Sequence, residues 1–236
     1  MGYCLLCDER IMETVRWSTL WLKEEETKLC VRCLEKFEPI KGEVCQLCHR
    51  PLHELKASFY KNGVCLDCQR WENDKKTAQL LTKNISCYRY NDFLKEVMKR
   101  FKFEGDAVLG TIFAKALREA YHTHFRDAVL IPIPLSEERL QERGFNQVEM
   151  LLAGWASPID ALGRRSGEKQ SKKKRQERMR ESETAFFLKE NHLSIVKNKS
   201  IVLVDDIYTT GVTVRQAAKV LKLAGIKTVA SLTVCR

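Results

Sequence analysis

Four C-x-x-C pairs constrain this chain more than any other feature: Cys4 and Cys7, Cys30 and Cys33, Cys45 and Cys48, Cys65 and Cys68, all before residue 70. Such a turn aims two thiolates at one ion, and two turns close a tetrahedral structural site, so four pairs suffice for two zinc ions. A segment that commits this many residues to ligands has little apolar interior, and the bound metal then supplies folding energy. The intervals of 22 residues between Cys7 and Cys30 and 16 between Cys48 and Cys65 suggest sequential pairing, and interleaving of the first and third pairs satisfies the same count.

Disulfides compete for the same cysteines. Asp8 and Glu9 follow the first pair where a secretory leader would turn apolar. The longest apolar runs, such as 128–135, fall far short of the ~20 residues that span a bilayer. The expectation is a cytoplasmic chain with no membrane span, where thiols stay reduced and repeated C-x-x-C turns suit metal. Cys45-Gln46-Leu47-Cys48-His49 also spells a haem-attachment signature, a reading that leaves three identical pairs unexplained. His49 then occupies a knuckle turn where glycine is commoner, and His53 is a surface residue. Cys87 and Cys235 lie in apolar stretches and read as small buried hydrophobes.

Residues 1–70 hold 11 Lys+Arg against 11 Asp+Glu, so the whole net charge of +10 falls in residues 71–236. A division at residue 70 follows: a zinc-binding module at 1–70, suited to docking or scaffolding, and a larger domain at 71–236. Trp17 and Trp21, at i and i+4, read as a helix core contact.

In the second part, Phe93, Leu94, Val97, Met98 and Phe101 recur at helical spacing behind a cap at Asn91 or Asp92. Residues 106–125 repeat the pattern, and a third helix is expected over 137–155. Strands are expected at 128–133, 185–188, 201–204 and 228–234. Strands alternating with helices imply an α/β fold with a parallel, Rossmann-like sheet.

The most informative segment runs Ile201-Val202-Leu203-Val204-Asp205-Asp206-Ile207-Tyr208-Thr209-Thr210-Gly211-Val212-Thr213. A buried strand delivers two adjacent acids to the carboxyl edge of the sheet, where ligands bind in such folds. Gly211 permits close backbone approach. The hydroxyls of Thr209, Thr210 and Thr213 and the free N–H groups at the next helix start can cradle a phosphate. Paired carboxylates beside a phosphate site suit vicinal ribose hydroxyls. The G-x-x-x-x-G-K-[ST] signature of P-loop NTPases is absent.

This segment resembles the signature of type I phosphoribosyltransferases, which bind 5-phosphoribosyl 1-diphosphate (PRPP). The resemblance implies that Asp205 and Asp206 hold the ribose hydroxyls, that Thr209, Thr210, Gly211, Val212 and Thr213 hold the 5-phosphate, and that Mg²⁺ accompanies PRPP. Together with the cysteine-rich start, Ile131-Pro132-Ile133-Pro134-Leu135, Arg139, Arg143-Gly144-Phe145-Asn146-Gln147, Gln170, Arg178 and Ala185-Phe186, the chain resembles the ComF family of competence proteins along nearly its whole length. That resemblance implies a role in DNA uptake during natural transformation, beside a competence helicase and recombination mediators. Two positions depart from the family pattern: His49 for the usual Gly, and Glu181 for Asn.

Residues 164–180 carry nine basic residues against Glu168 and Glu177. Such a run neutralises phosphates with strong salt dependence and little sequence preference. Lys169, Lys172, Lys173, Lys174, Arg175 and Arg178 are therefore candidate contacts to single-stranded DNA. The rival is an active phosphoribosyltransferase on an unidentified acceptor, in which Arg143 clamps a leaving diphosphate and the basic run closes over the site. Phe145 and Tyr208 could stack bases, although core or pocket-lining roles suit both better.

Overall fold

The computed structural model describes residues 2–11, 28–165 and 185–236. In the cysteine-rich part, a short helix α1 (Val31–Leu34) is followed by a small hairpin, β1 (Tyr60–Lys61) and β2 (Val64–Cys65). Helix α2 (Leu66–Asn73) begins directly at Cys65.

The larger part follows as β3 (Asn84–Tyr88), α3 (Asp92–Phe103), a 3-10 segment Ala107–Phe113 leading into α4 (Ala114–His124), and β4 (Val129–Pro132). Then come α5 (Glu137–Arg143), α6 (Gln147–Leu152), β5 (Leu162–Arg164) and β6 (Phe186–Leu188). Helix α7 (Leu193–Val196), β7 (Ser200–Ile207), α8 (Val212–Leu223) and β8 (Thr228–Cys235) complete the chain. Four strands form one parallel sheet in the order β3-β8-β7-β4. The fold is the expected α/β parallel-sheet class with a small N-terminal cysteine module.

Strand β7 is apolar throughout its buried length because both faces of the sheet are covered. Val202 and Val204 pack with α3, α4 and α6, including Leu94, Phe101, Leu117 and Leu151. Ile201 and Leu203 pack with Val214, Ala218 and Leu221 of α8 and with Phe186. Asn91 caps α3 by accepting the Leu94 N–H at 2.8 Å, as its sequence position suggests.

Three expectations are modified. The helix expected over 137–155 is broken, because Gly144 takes a left-handed conformation (φ 74°) that ends α5, and Asn146 opens α6 by accepting the Val148 N–H. The strand at 185–188 pairs antiparallel with β5 and does not join the main sheet. Strand β3 was expected only as an apolar stretch. It is an edge strand whose outer side is covered by the cysteine-rich part: the Asn84 N–H donates to Leu47 O (2.8 Å) and the Ile40 N–H to Cys87 O (3.0 Å). Covering this edge removes an open template for strand addition.

Candidate ribose-phosphate site and metal centres

The cysteines form two groups, Cys4, Cys7, Cys30 and Cys33, and Cys45, Cys48, Cys65 and Cys68, with the sulfurs of each group within 4.8 Å of one another. Pairing is therefore sequential. Within the second group, hydrogen bonds from Cys48, Cys65 and Cys68 drive the Cys45 thiol far down, while bonds with Cys45, Cys48 and Cys65 drive Cys68 far up. Four thiols this close cannot all ionise without a cation between them, and this sulfur set matches the tetrahedral preference of zinc. Both groups can hold zinc. His49 has φ 63°, which explains why its turn favours glycine, and its half-buried ring sets Nδ1 3.0 Å from the Ser86 carbonyl and 3.2 Å from the Ser86 N–H. Burial holds His49 below its ordinary range. His53 is exposed and Cys235 is buried, as expected, while Cys87 is only partly buried.

Asp205 and Asp206 occupy the end of β7, one on each side of the sheet, as strand alternation requires. The Asp205 carboxylate accepts the Asp206 N–H at 2.9 Å. Burial, and then the charge of Asp206, push the Asp205 carboxyl up to about 7. Asp206 pairs with Lys102 Nζ at 2.7 Å, with side chains only 14% and 17% exposed.

The chain then turns through Tyr208, Thr209 and Thr210 to Gly211, whose φ of +81° starts α8. A Cβ at Gly211 would overlap Tyr208 Oη and the Arg215 guanidinium, so a side chain is excluded both by backbone conformation and by space. Thr209 and Thr210 are exposed, Thr213 and Val212 lie in the first turn of α8, and no side chain caps that helix start. The Val212 N–H makes only a long 3.5 Å contact to Thr210 Oγ1, and Gly211 offers no capping side chain, which is the condition for anion binding at a helix N-terminus.

Arg143 is brought to the Asp206 side of this site. Its guanidinium lies 5.1 Å from the Phe103 ring and donates to Gln147 Oε1 at 2.8 Å, while its Nε is buried without a partner. Beside it is a cavity of about 490 Å³ whose charged lining is Lys95, Lys99, Lys102, Arg139 and Arg143 with Glu96 and Glu142. Lys169, Lys172, Lys173, Lys174, Arg175 and Arg178, with Gln170, Glu181, Trp17 and Trp21, lie outside the described residues. Tyr208 is buried and Phe145 packs against the core, as favoured over base stacking.

Lys102 was not expected at the site. Its one signal is a lysine between Phe101 and Phe103 at the end of an otherwise apolar stripe. Trp71 and Arg215 were also missed, because only the fold joins positions so distant in the chain: the Trp71 indole N–H donates to Thr210 O at 3.2 Å.

Residues 161–236 match the model of the phosphoribosyl transferase domain, so strand, acid pair and turn define this part as a phosphoribosyltransferase-type domain. The whole chain is 40% identical to competence protein ComFC of Bacillus subtilis, over 99% of this chain and 94% of that protein. It is 34% identical to competence protein ComFC of Streptococcus pneumoniae, over 99% of each. Competence protein F of Haemophilus influenzae is 25% identical over 84% of this chain and 92% of its own length. The chain belongs to the ComF family, among its ComFC competence proteins. Among the described residues, no helix is long and apolar enough to cross a membrane.

Proposed function

We propose that this protein acts in DNA uptake during natural transformation and binds a PRPP-like ribose phosphate at the end of β7. The observation that carries the ligand reading is the partly buried Asp205–Asp206 pair running into the Gly211 turn at the start of α8. Carboxylate oxygens accept from two vicinal hydroxyls, and the α8 N–H groups with Thr209, Thr210 and Thr213 take the 5-phosphate. Mg²⁺ enters with the diphosphate as part of the ligand. Asp206 is already paired with Lys102, and among the described residues only the cysteine groups gather three or more potential metal ligands. Equilibrium dialysis with PRPP and Mg²⁺ tests this reading. Retention by the unmodified protein and loss in Gly211→Ala support it, and equal retention by both refutes it.

The basic run at 164–180 supports single-stranded DNA as the macromolecular partner, with the competence helicase and recombination mediators as protein partners implied by the family. The cysteine-rich segment 1–70 serves as the docking module in this reading.

One observation favours a second reading, in which the protein turns over. The cavity containing Arg139 and Arg143, in which five cations outnumber Glu96 and Glu142, shares Lys102 with Asp206, and fixed positive charge there would stabilise a departing diphosphate. Pyrophosphate release that depends on an added acceptor distinguishes the enzyme from a ligand sensor.

A further inference from the structure

The second cysteine group and the phosphate turn share a wall. Cys65 is the N-cap of helix α2, which carries Cys68 and one turn later places Trp71 against the turn that precedes α8. The Trp71 indole N–H holds Thr210 O, and the Arg215 guanidinium stacks 4.8 Å from the Trp71 ring centroid. Arg215 is 2% exposed, donates to Tyr208 Oη at 2.7 Å, and leaves its Nε without a partner. Tyr208 and Arg215 are the two groups against which Gly211 is packed.

A second connection runs through the end of β8. Arg236 lies 5.1 Å from the Tyr208 ring centroid and donates to the backbone carbonyl of Cys48. The conformation of residues 208–211 is thus held from both C-x-x-C turns of this group. The other cysteine group packs with Leu6, Leu29 and Phe93 at the α3 side and provides an internal control.

We propose that the metal held by Cys45, Cys48, Cys65 and Cys68 sets the phosphate turn in its binding conformation through Trp71 and Arg215, so that metal occupancy and ribose-phosphate binding are linked. The proposal rests on the ribose-phosphate reading for its ligand. Trp71 and Arg215 act as positioning residues: Trp71 fixes the Thr210 carbonyl, and its ring stabilises Arg215, a buried cation whose Nε has no partner. With the metal absent, α2 loses its first-turn anchor, and the stack and the Thr210 contact loosen together. Linkage is reciprocal, so a ligand that fixes the turn must also slow metal loss from this group.

The test uses the full chain loaded with zinc. Hydrogen exchange of residues 205–215 is followed in the unmodified protein, in Cys68→Ser, in Cys33→Ser, and in Trp71→Ala and Trp71→Phe. Exchange at 208–213 should quicken at least tenfold in Cys68→Ser and Trp71→Ala and remain unchanged in Cys33→Ser. Trp71→Phe, which keeps a ring over Arg215 but loses the indole N–H, should fall between. Should Cys68→Ser fail to fold, zinc release to a chromogenic chelator decides in the unmodified protein. PRPP with Mg²⁺ should slow release of one of the two zinc equivalents at least fivefold and leave the other unaffected, and Trp71→Ala should retain two equivalents yet lose that protection. Unchanged exchange at 208–213 in Trp71→Ala, or release that ignores bound PRPP, overturns the coupling. Absence of PRPP binding by the unmodified protein overturns the ribose-phosphate reading instead, while the exchange arm, which needs no ligand, judges the coupling separately.

Discussion

Replacing Lys102 by Met keeps the aliphatic stem and removes the ammonium that pairs with Asp206. The pair is 2.7 Å long with both side chains more than four-fifths buried, and Lys102 also lowers the carboxyl of Asp205. Breaking one partner of a buried pair costs ~3–5 kcal/mol, and residual solvent access puts this case near the lower end, about 3 kcal/mol. For a chain of this size that corresponds to a fall in Tm of roughly 6–12 °C. The sign with pH follows from Asp205, whose folded-state carboxyl is raised from 3.8 to about 7. Between those values the folded state holds a proton that the unfolded state releases, so this group's contribution to stability falls as pH rises through the window. Without Lys102 the window extends upward. The loss in Lys102→Met should therefore be full at pH 8 and clearly smaller at pH 5, where Asp205 is protonated. Thermal unfolding by circular dichroism at both pH values measures it, and Lys102→Met combined with Asp206→Asn should recover most of the loss. Melting within 2 °C of the unmodified protein at pH 8, or an equal loss at both pH values, refutes the reasoning.

The affinity for PRPP should weaken about tenfold between pH 8 and pH 6, because an Asp205 carboxyl near 7 is then mostly protonated. Titration calorimetry should show a shallower dependence for Asp205→Asn, in which only the ligand's own ionisation remains. Gly211→Ala forces a side chain into φ +81°, costing ~1–2 kcal/mol before any overlap with Tyr208 and Arg215, and chemical denaturation measures that loss. A chelator assay should release two zinc ions per chain, and a value of one would restrict metal to a single cysteine group. Charge reversal of Lys172, Lys173 and Lys174 should weaken single-strand binding and reduce the log–log salt slope by about 2 units, read by fluorescence anisotropy.

Much of this architecture was legible because its signals are local. Cysteine spacing pointed to paired turns, and the uninterrupted apolar run at 201–204 marked a strand covered on both faces. The acids, threonines and Gly211 marked a turn that only glycine completes. The break at Gly144 was harder to read, since apolar residues keep helical spacing on both sides and only the left-handed turn separates them. Strand β3 was obscured by Asn84 and Ser86. These polar residues pair with Ser231 and Thr233 across the sheet and with the Cys48 carbonyl, so they are buried at no unsatisfied cost. Lys102, Trp71 and Arg215 had no spacing rule to expose them, because their partners lie more than a hundred residues away or on another layer.

In the proposed function, Asp205, Asp206 and the turn after them form a ribose-phosphate site. Calorimetric titration of the full chain with PRPP and Mg²⁺, set against an Asp205→Asn, Asp206→Asn variant that retains its fold, tests it most directly. Saturable binding by the unmodified protein and none by the variant is the expected result. No heat from either, or the same affinity in both, would contradict it and shift the function of this fold to its basic segment and cysteine module.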